Sequence, residues 1–215
     1  MLRKANTFER KYKMSIKVIV FDFDGTLIDS NRLKYEAYFK LFQTSEHHTR
    51  TIREVLSKIY EQSRFVILEE IVRRLNLNGE SELEPEVDEL AERYNDIVLN
   101  GAKMCPQMPG AQSALKSLSR RYRLYVSSTT PDSALKEIIR YRGWHRFFED
   151  IFGYPHQKTA TLKNIIALEM VQPTEVLVVG DGESDRISSS QAGCAFVHVN
   201  RNFRLEDLVN VIADL

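Results

Sequence analysis

The run Val18-Ile19-Val20-Phe21-Asp22-Phe23-Asp24-Gly25-Thr26-Leu27 passes from four apolar residues to two carboxylates, a glycine and a hydroxyl. A short apolar run bounded by turn chemistry reads as a strand buried on both faces. Charge at the end of such a strand needs a partner, and in open α/β sheets ligands bind just beyond the carboxyl ends of the strands. The plainer alternative is an Asp-Gly turn whose aspartates make only turn hydrogen bonds.

Working outward, four more apolar runs follow, and each ends in small or polar residues. Leu124-Tyr125-Val126 leads into Ser127-Ser128-Thr129-Thr130-Pro131, and the run from Phe147 to Phe152 ends at Gly153. Val176-Leu177-Val178-Val179 ends in Gly180-Asp181-Gly182, and the run from Ala195 to Val199 ends at Asn200. Between them, residues 111–121, 133–142, 159–169 and 185–192 have helical spacing, and 204–215 reads as a closing helix. Strands alternating with such helices predict a Rossmann-like parallel sheet of about five strands, covered on both faces.

Residues 31–102 break this rhythm. They hold no strand-like run and read as three or four amphipathic helices, with Ile67, Leu68, Ile71, Val72 and Leu75 forming one stripe. Asn78-Gly79 interrupts the pattern, and Pro85 is placed to open another helix. From Gly79 to Asp96 there are eight acids and one arginine, most simply a solvated face. The expected organisation is a basic tail (1–14), an α/β core (15–30 and 103–215) and an α-helical cap domain (31–102) inserted after the first strand. Both connections of the insert would cross the mouth of the site, a placement that suits a lid.

Composition excludes several classes. Lys+Arg and Asp+Glu balance at 30 each, so no global field favours nucleic acid or an anionic membrane. No apolar run approaches the roughly 18 residues that span a bilayer, and the N-terminal stretch lacks the apolar core of a secretory signal. Cys105 and Cys194 lie far apart, outside metal-ligand spacing, and read as reduced thiols of a cytoplasmic protein. His47-His48 lacks partners at ligand spacing and reads as surface, while the lone Trp144 reads as core or rim.

Asp22/Asp24, Ser128, Lys158 and Asp181/Asp185 all fall at predicted strand ends or in the following loops. Phosphate-ester hydrolysis gives each a reason to be there. A carboxylate nucleophile splits the reaction through an aspartyl-phosphate. A second carboxyl group two residues on protonates the leaving alkoxide and then deprotonates the attacking water. Gly25 lets backbone amides approach the phosphoryl oxygens, the Ser128 hydroxyl donates to one of them, and Lys158 offsets their charge. Clustered carboxylates repel one another, and an all-oxygen ligand set with retained water suits Mg²⁺.

These residues, in this order, resemble the haloacid dehalogenase-like hydrolase superfamily. Asp22-Phe23-Asp24-Gly25-Thr26-Leu27 matches its first motif. Ser128 fits the second, Lys158 the third, and Gly180-Asp181-Gly182-Glu183-Ser184-Asp185 the fourth. Pro109-Gly110 resembles the phosphoglycolate-phosphatase-like branch. The resemblance implies Asp22 as nucleophile and Asp24 as general acid/base. Mg²⁺ would be held by Asp22, the Asp24 main-chain carbonyl and Asp181, with Asp185 ligating directly or through water. Thr129, where many relatives carry Asn, joins Gly25, Ser128 and Lys158 as a phosphate-contact candidate.

A dehalogenase has no alkoxide to protonate and resembles the superfamily without the acid at Asp24. A transport ATPase has Lys after the nucleophile and membrane spans. What remains is a phosphatase acting on a small phosphorylated metabolite such as phosphoglycolate or a sugar phosphate, as monomer or homodimer. The alternatives are a phosphomutase of the β-phosphoglucomutase kind and a non-catalytic binding protein on the same fold. Arg32, Tyr35, Arg53, Arg64 and Arg73 are candidates for meeting an anionic substrate, and Lys34, Lys40 and Lys58 are the lysines a phosphonatase-like imine would need.

Overall fold

The computed structural model describes residues 15–42, 45–60, 62–77 and 86–214. The basic tail, Asn78-Gly79 and Pro85 lie outside the described residues. Five parallel strands form one sheet in the order β3-β2-β1-β4-β5: β1 (Val18–Phe21), β2 (Arg123–Pro131), β3 (Asp150–Tyr154), β4 (Val176–Gly180) and β5 (Ala195–His198). All four residues of β1 are buried, as a central parallel strand requires.

Period-two alternation splits β1 between two layers. Ile19 and Phe21 join Leu124, Val126, Leu177 and Val179 on one face. Helices α5 (Ala111–Leu118), α6 (Asp132–Tyr141) and α9 (Leu208–Asp214) close that side, through residues such as Leu115, Ile138 and Leu208. Val18 and Val20 face the opposite layer, where α7 (Lys158–Glu169) and α8 (Glu183–Ala192) supply Leu162, Ile165 and Ala192. The expected α/β core is therefore present as a three-layer sandwich.

Two boundaries differ from the periodicity. The apolar run at Phe147 is not yet strand: His145–Phe147 forms a 3₁₀ turn, and β3 begins at Asp150. Trp144 is buried beside that turn, with the Arg142 guanidinium 5.2 Å from its ring centroid. The closing helix likewise starts as a 3₁₀ turn at Leu205–Asp207.

Between β1 and α5 lie α1 (Asn31–Leu41), α2 (Glu46–Ile59), α3 (Arg64–Leu77) and α4 (Val87–Met104). They bury their own cluster, including Tyr38, Val55, Leu56, Leu68, Ile71 and Tyr94, distinct from the two sheet-side clusters. His48, expected at the surface, is buried on α2, whose N-terminus is capped by Ser45 Oγ accepting from His48 N. Helix α4 passes residue 102 without interruption, and Ala102 packs into the sheet-side core. Arg142 donates 2.6 Å hydrogen bonds to the carbonyls of Ala102 and Cys105, satisfying acceptors at the end of α4. Cys105 and Cys194 are unbridged. Among the described residues no helix is long and apolar enough to cross a membrane.

Candidate active site

The order in which strands are added reverses at β1: β2 and β3 build to one side, β4 and β5 to the other. Such a switch point leaves a crevice at the carboxyl ends of the two flanking strands. Phe21 registers with Val179, and Asp22 N donates to Val179 O at 2.8 Å, so Asp22 and Gly180 leave the sheet side by side.

Lys158, the first residue of α7, bridges this crevice. Its Nζ lies 2.8 Å from Asp22 Oδ1 and 2.6 Å from Asp185 Oδ1. Asp185 sits in the first turn of α8, where its Oδ2 accepts from Gly182 N at 3.3 Å. Asp181 receives hydrogen bonds from Thr26 Oγ1 (3.3 Å) and Asn31 Nδ2 (3.1 Å). Gly25 makes the turn that lets this happen. Its φ is +75°, and a Cβ there would stand 2.0 Å from Asp181 Oδ2.

Asp24 points into a second network. Its Oδ1 accepts from Ser30 Oγ at 2.5 Å, and its Oδ2 from Thr130 Oγ1 at 2.6 Å. Lys34 Nζ, on α1, lies 2.7 Å from the same Oδ2. Burial resists ionisation of Asp24, but the Lys34 charge and the three donors hold its pKa below the ordinary carboxylate range.

Asp22 is driven the other way. Burial lifts its pKa to about 7; Lys158 pulls it down, while Asp185 and Asp24 push it further up. Burial also raises Asp185 against the pull of Lys158, and the two carboxylates keep the buried Lys158 charged, above the usual lysine range. One lysine thus serves a surplus of negative charge. An oxygen from each of Asp22, Asp181 and Asp185 lies within 4.8 Å of the others, an all-oxygen set that fits a hard divalent cation.

The hydroxyls at the end of β2 are sorted by an irregularity in the sheet. Ser127 pairs with Phe152 and Pro131 with Tyr154, so four steps along β2 match two along β3. The bulge breaks alternation: Ser127, Ser128 and Thr130 are all buried, and Thr129 is exposed. Ser128 Oγ accepts from Thr130 N at 3.1 Å, and Ser127 Oγ is buried near Asp22 and Lys158 without a hydrogen-bond partner. Thr130 and Ser30, both in contact with Asp24, were not candidates from the sequence. The only signal was their hydroxyls near the motifs, which the bulge and the turn into α1 turn into contacts.

A cleft of about 170 Å³ opens beside Asp181 and Gly25, walled by Asn31, His198, Asn200 and Arg201. Arg201 Nη2 donates to Asp29 Oδ1 at 3.1 Å across its rim. Of the insert cations, Arg32 pairs with Glu36 and Arg73 with Glu70 along their own helices; Lys34 reaches a catalytic candidate.

The chain is similar to known proteins over most of its length. Phosphoglycolate phosphatase of Vibrio vulnificus (strain YJ016) is 26% identical over 191 residues, covering 85% of this chain and 83% of the relative. Phosphoglycolate phosphatase of Aquifex aeolicus is 25% identical, covering 83% and 82%. The Bacillus subtilis HAD hydrolase YfnB, solved bound to magnesium, superposes with a TM-score of 0.73 at 15% identity, covering 93% of this chain and 99% of that one. A Thermotoga maritima protein assigned as a β-phosphoglucomutase gives 0.70 at 18%, covering 93% and 100%. Residues 19–199 match the family described as haloacid dehalogenase-like hydrolase, and the chain belongs to that family.

Proposed function

We propose that this chain is a Mg²⁺-dependent phosphatase acting on a small phosphate monoester of the phosphoglycolate or sugar phosphate type. The observation that carries the proposal is Lys158 held between Asp22 and Asp185 at the switch-point crevice, beside Asp181. The relatives named as phosphoglycolate phosphatases over most of the chain support the substrate class.

In this reading a carboxylate oxygen of Asp22 attacks phosphorus and the ester P–O bond breaks. Asp24 gives its proton to the departing oxygen. With its pKa lowered in the free protein, Asp24 takes up that proton from solvent as the negative phosphoryl group enters beside it and raises its proton affinity, and the proton it later receives from water returns to solvent. A water then attacks the aspartyl-phosphate and passes its proton to Asp24. The Asp22–phosphate bond breaks, and inorganic phosphate leaves. Lys158 would offset charge on the transferring oxygens, and backbone amides of the turn at Gly25 and the Ser128 hydroxyl would donate to them. Asp22, Asp181, the Asp24 main-chain carbonyl and, directly or through water, Asp185 would hold Mg²⁺, which supplies further charge neutralisation. Helices α1–α4 serve as the cap over the crevice, a role that the reach of Lys34 to Asp24 supports.

The test is release of inorganic phosphate from a panel of phosphomonoesters, with Mg²⁺ and with chelator, in wild type, Asp22→Asn and Asp24→Asn. Metal-dependent release that Asp22→Asn lacks, and that Asp24→Asn slows by about 10²-fold or more, is expected. Phosphorylation of Asp22 by a small phosphodonor without release from any ester would replace the phosphatase by a mutase. Neither signal would leave a binding protein.

A further inference from the structure

Helix α1 opens on Ser30-Asn31, residue types that usually spend a side-chain oxygen on the free amides of a first helical turn. Here no side chain caps the helix. Ser30 Oγ goes to Asp24 instead, and Asn31 Nδ2 donates to Asp181 Oδ2 at 3.1 Å. A helix start that gives up its local chemistry in this way marks residues held for another purpose.

Asp181 is held differently from the other two carboxylates of the oxygen cluster. Asp22 and Asp185 share the Lys158 ammonium, at 2.8 and 2.6 Å. The donors on Asp181 are neutral: Thr26 Oγ1 on Oδ1 at 3.3 Å, and Asn31 Nδ2 on Oδ2. One donor on each oxygen fixes the plane of the carboxylate without cancelling its charge. That help matters because Asp181 and Asn31 both line the cleft of about 170 Å³, wide enough for water to compete for those oxygens. Asn31 is itself held on two sides. Its Nδ2 lies against the turn at Gly25, where a Cβ would stand 2.6 Å from it, and its carbonyl accepts from Tyr60 Oη at 3.2 Å.

We propose that Asn31 is a positioning residue for the divalent-cation site: it holds the Asp181 carboxylate toward Asp22 and Asp185, and so sets the affinity of the three-carboxylate cluster for Mg²⁺. This rests on the metal reading of that cluster above. Hydrogen-bond partners of ligating carboxylates contribute about 10- to 100-fold in metal affinity.

The test is calorimetric titration with Mg²⁺ of wild type, Asn31→Leu and Asn31→Gln, beside their melting temperatures in chelator. Leucine keeps the volume and removes the amide; glutamine keeps the amide on a longer arm. Asn31→Leu should raise the Mg²⁺ dissociation constant about 10- to 100-fold while melting in chelator at the wild-type temperature, and Asn31→Gln should lose less. In turnover, the Mg²⁺ concentration for half-maximal rate should rise with the dissociation constant, and kcat at saturating Mg²⁺ should hold. An unchanged dissociation constant in Asn31→Leu would overturn the proposal, as would equal losses in the two variants. So would a lower melting temperature in chelator, which would make the effect structural. A fall in kcat at saturating Mg²⁺ with binding intact would place Asn31 on the substrate and overturn it too, and so would a wild type that takes up no Mg²⁺. Mg²⁺ binding that Asn31→Leu weakens, in a protein that hydrolyses no ester, would count against the phosphatase reading and leave the positioning role standing.

Discussion

Gly25 and Asp181 meet more closely than any side chain allows: a β-carbon on Gly25 would lie 2.0 Å from Asp181 Oδ2. The two residues come from opposite ends of the chain, and their contact brings the turn after β1 against the loop after β4. Gly25→Ala must push the Asp181 carboxylate away and also adopt φ +75° with a β-carbon, which costs about 1–2 kcal/mol. The expected result is a lower melting temperature together with a higher Mg²⁺ concentration for half-maximal activity. An unchanged Mg²⁺ requirement would remove Asp181 from the ligand set.

Lys158→Met would leave Asp22 and Asp185 buried without their cation. Breaking a buried ion pair by removing one partner costs about 3–5 kcal/mol. The loss should be smaller at pH 5 than at pH 8, because Asp22 and Asp185, both raised, take up protons as the pH falls. Urea titrations at the two pH values check this, and turnover should fall by about 10²-fold or more.

In chelator, the Asp22 pKa is 3.8 in the unfolded chain and about 7 in the fold. Between these values the native state keeps a proton that the unfolded chain releases, so the contribution is complete below pH 4 and lost as pH rises toward 7. Melting temperature should therefore fall over that interval in wild type and fall less in Asp22→Asn. Added Mg²⁺, which binds the ionised carboxylate, should raise it more at pH 7 than at pH 5. A metal effect independent of pH would count against Asp22 as a ligand.

Leu68 is fully buried in the cluster formed by α1–α4. Leu68→Ala should cost about 2–5 kcal/mol locally, and hydrogen exchange should show α1–α4 losing protection well before β1. Equal loss in β1 would show that insert and sheet unfold as one unit.

The sequence determined the layers of this protein. Runs such as Val176–Val179 read as double-sided strands, the stripe through Ile67, Ile71 and Leu75 reads as the face of a helical core, and Asp22, Lys158 and Asp181 sit at strand ends or in the loops after them. Hydrophobic period is a local property, and it was readable. What it could not carry was the sorting of the hydroxyls after Val126 or the pairing of Asp24. A two-residue bulge against β3 decides that Thr130 faces Asp24 and Thr129 faces water. Burial of His48 depends on how α2 packs on its neighbours, and Lys34 meets Asp24 only because α1 returns across the strand end it left. Contacts between residues distant along the chain depend on register and helix placement, which the sheet and the insert fix together and no single segment encodes.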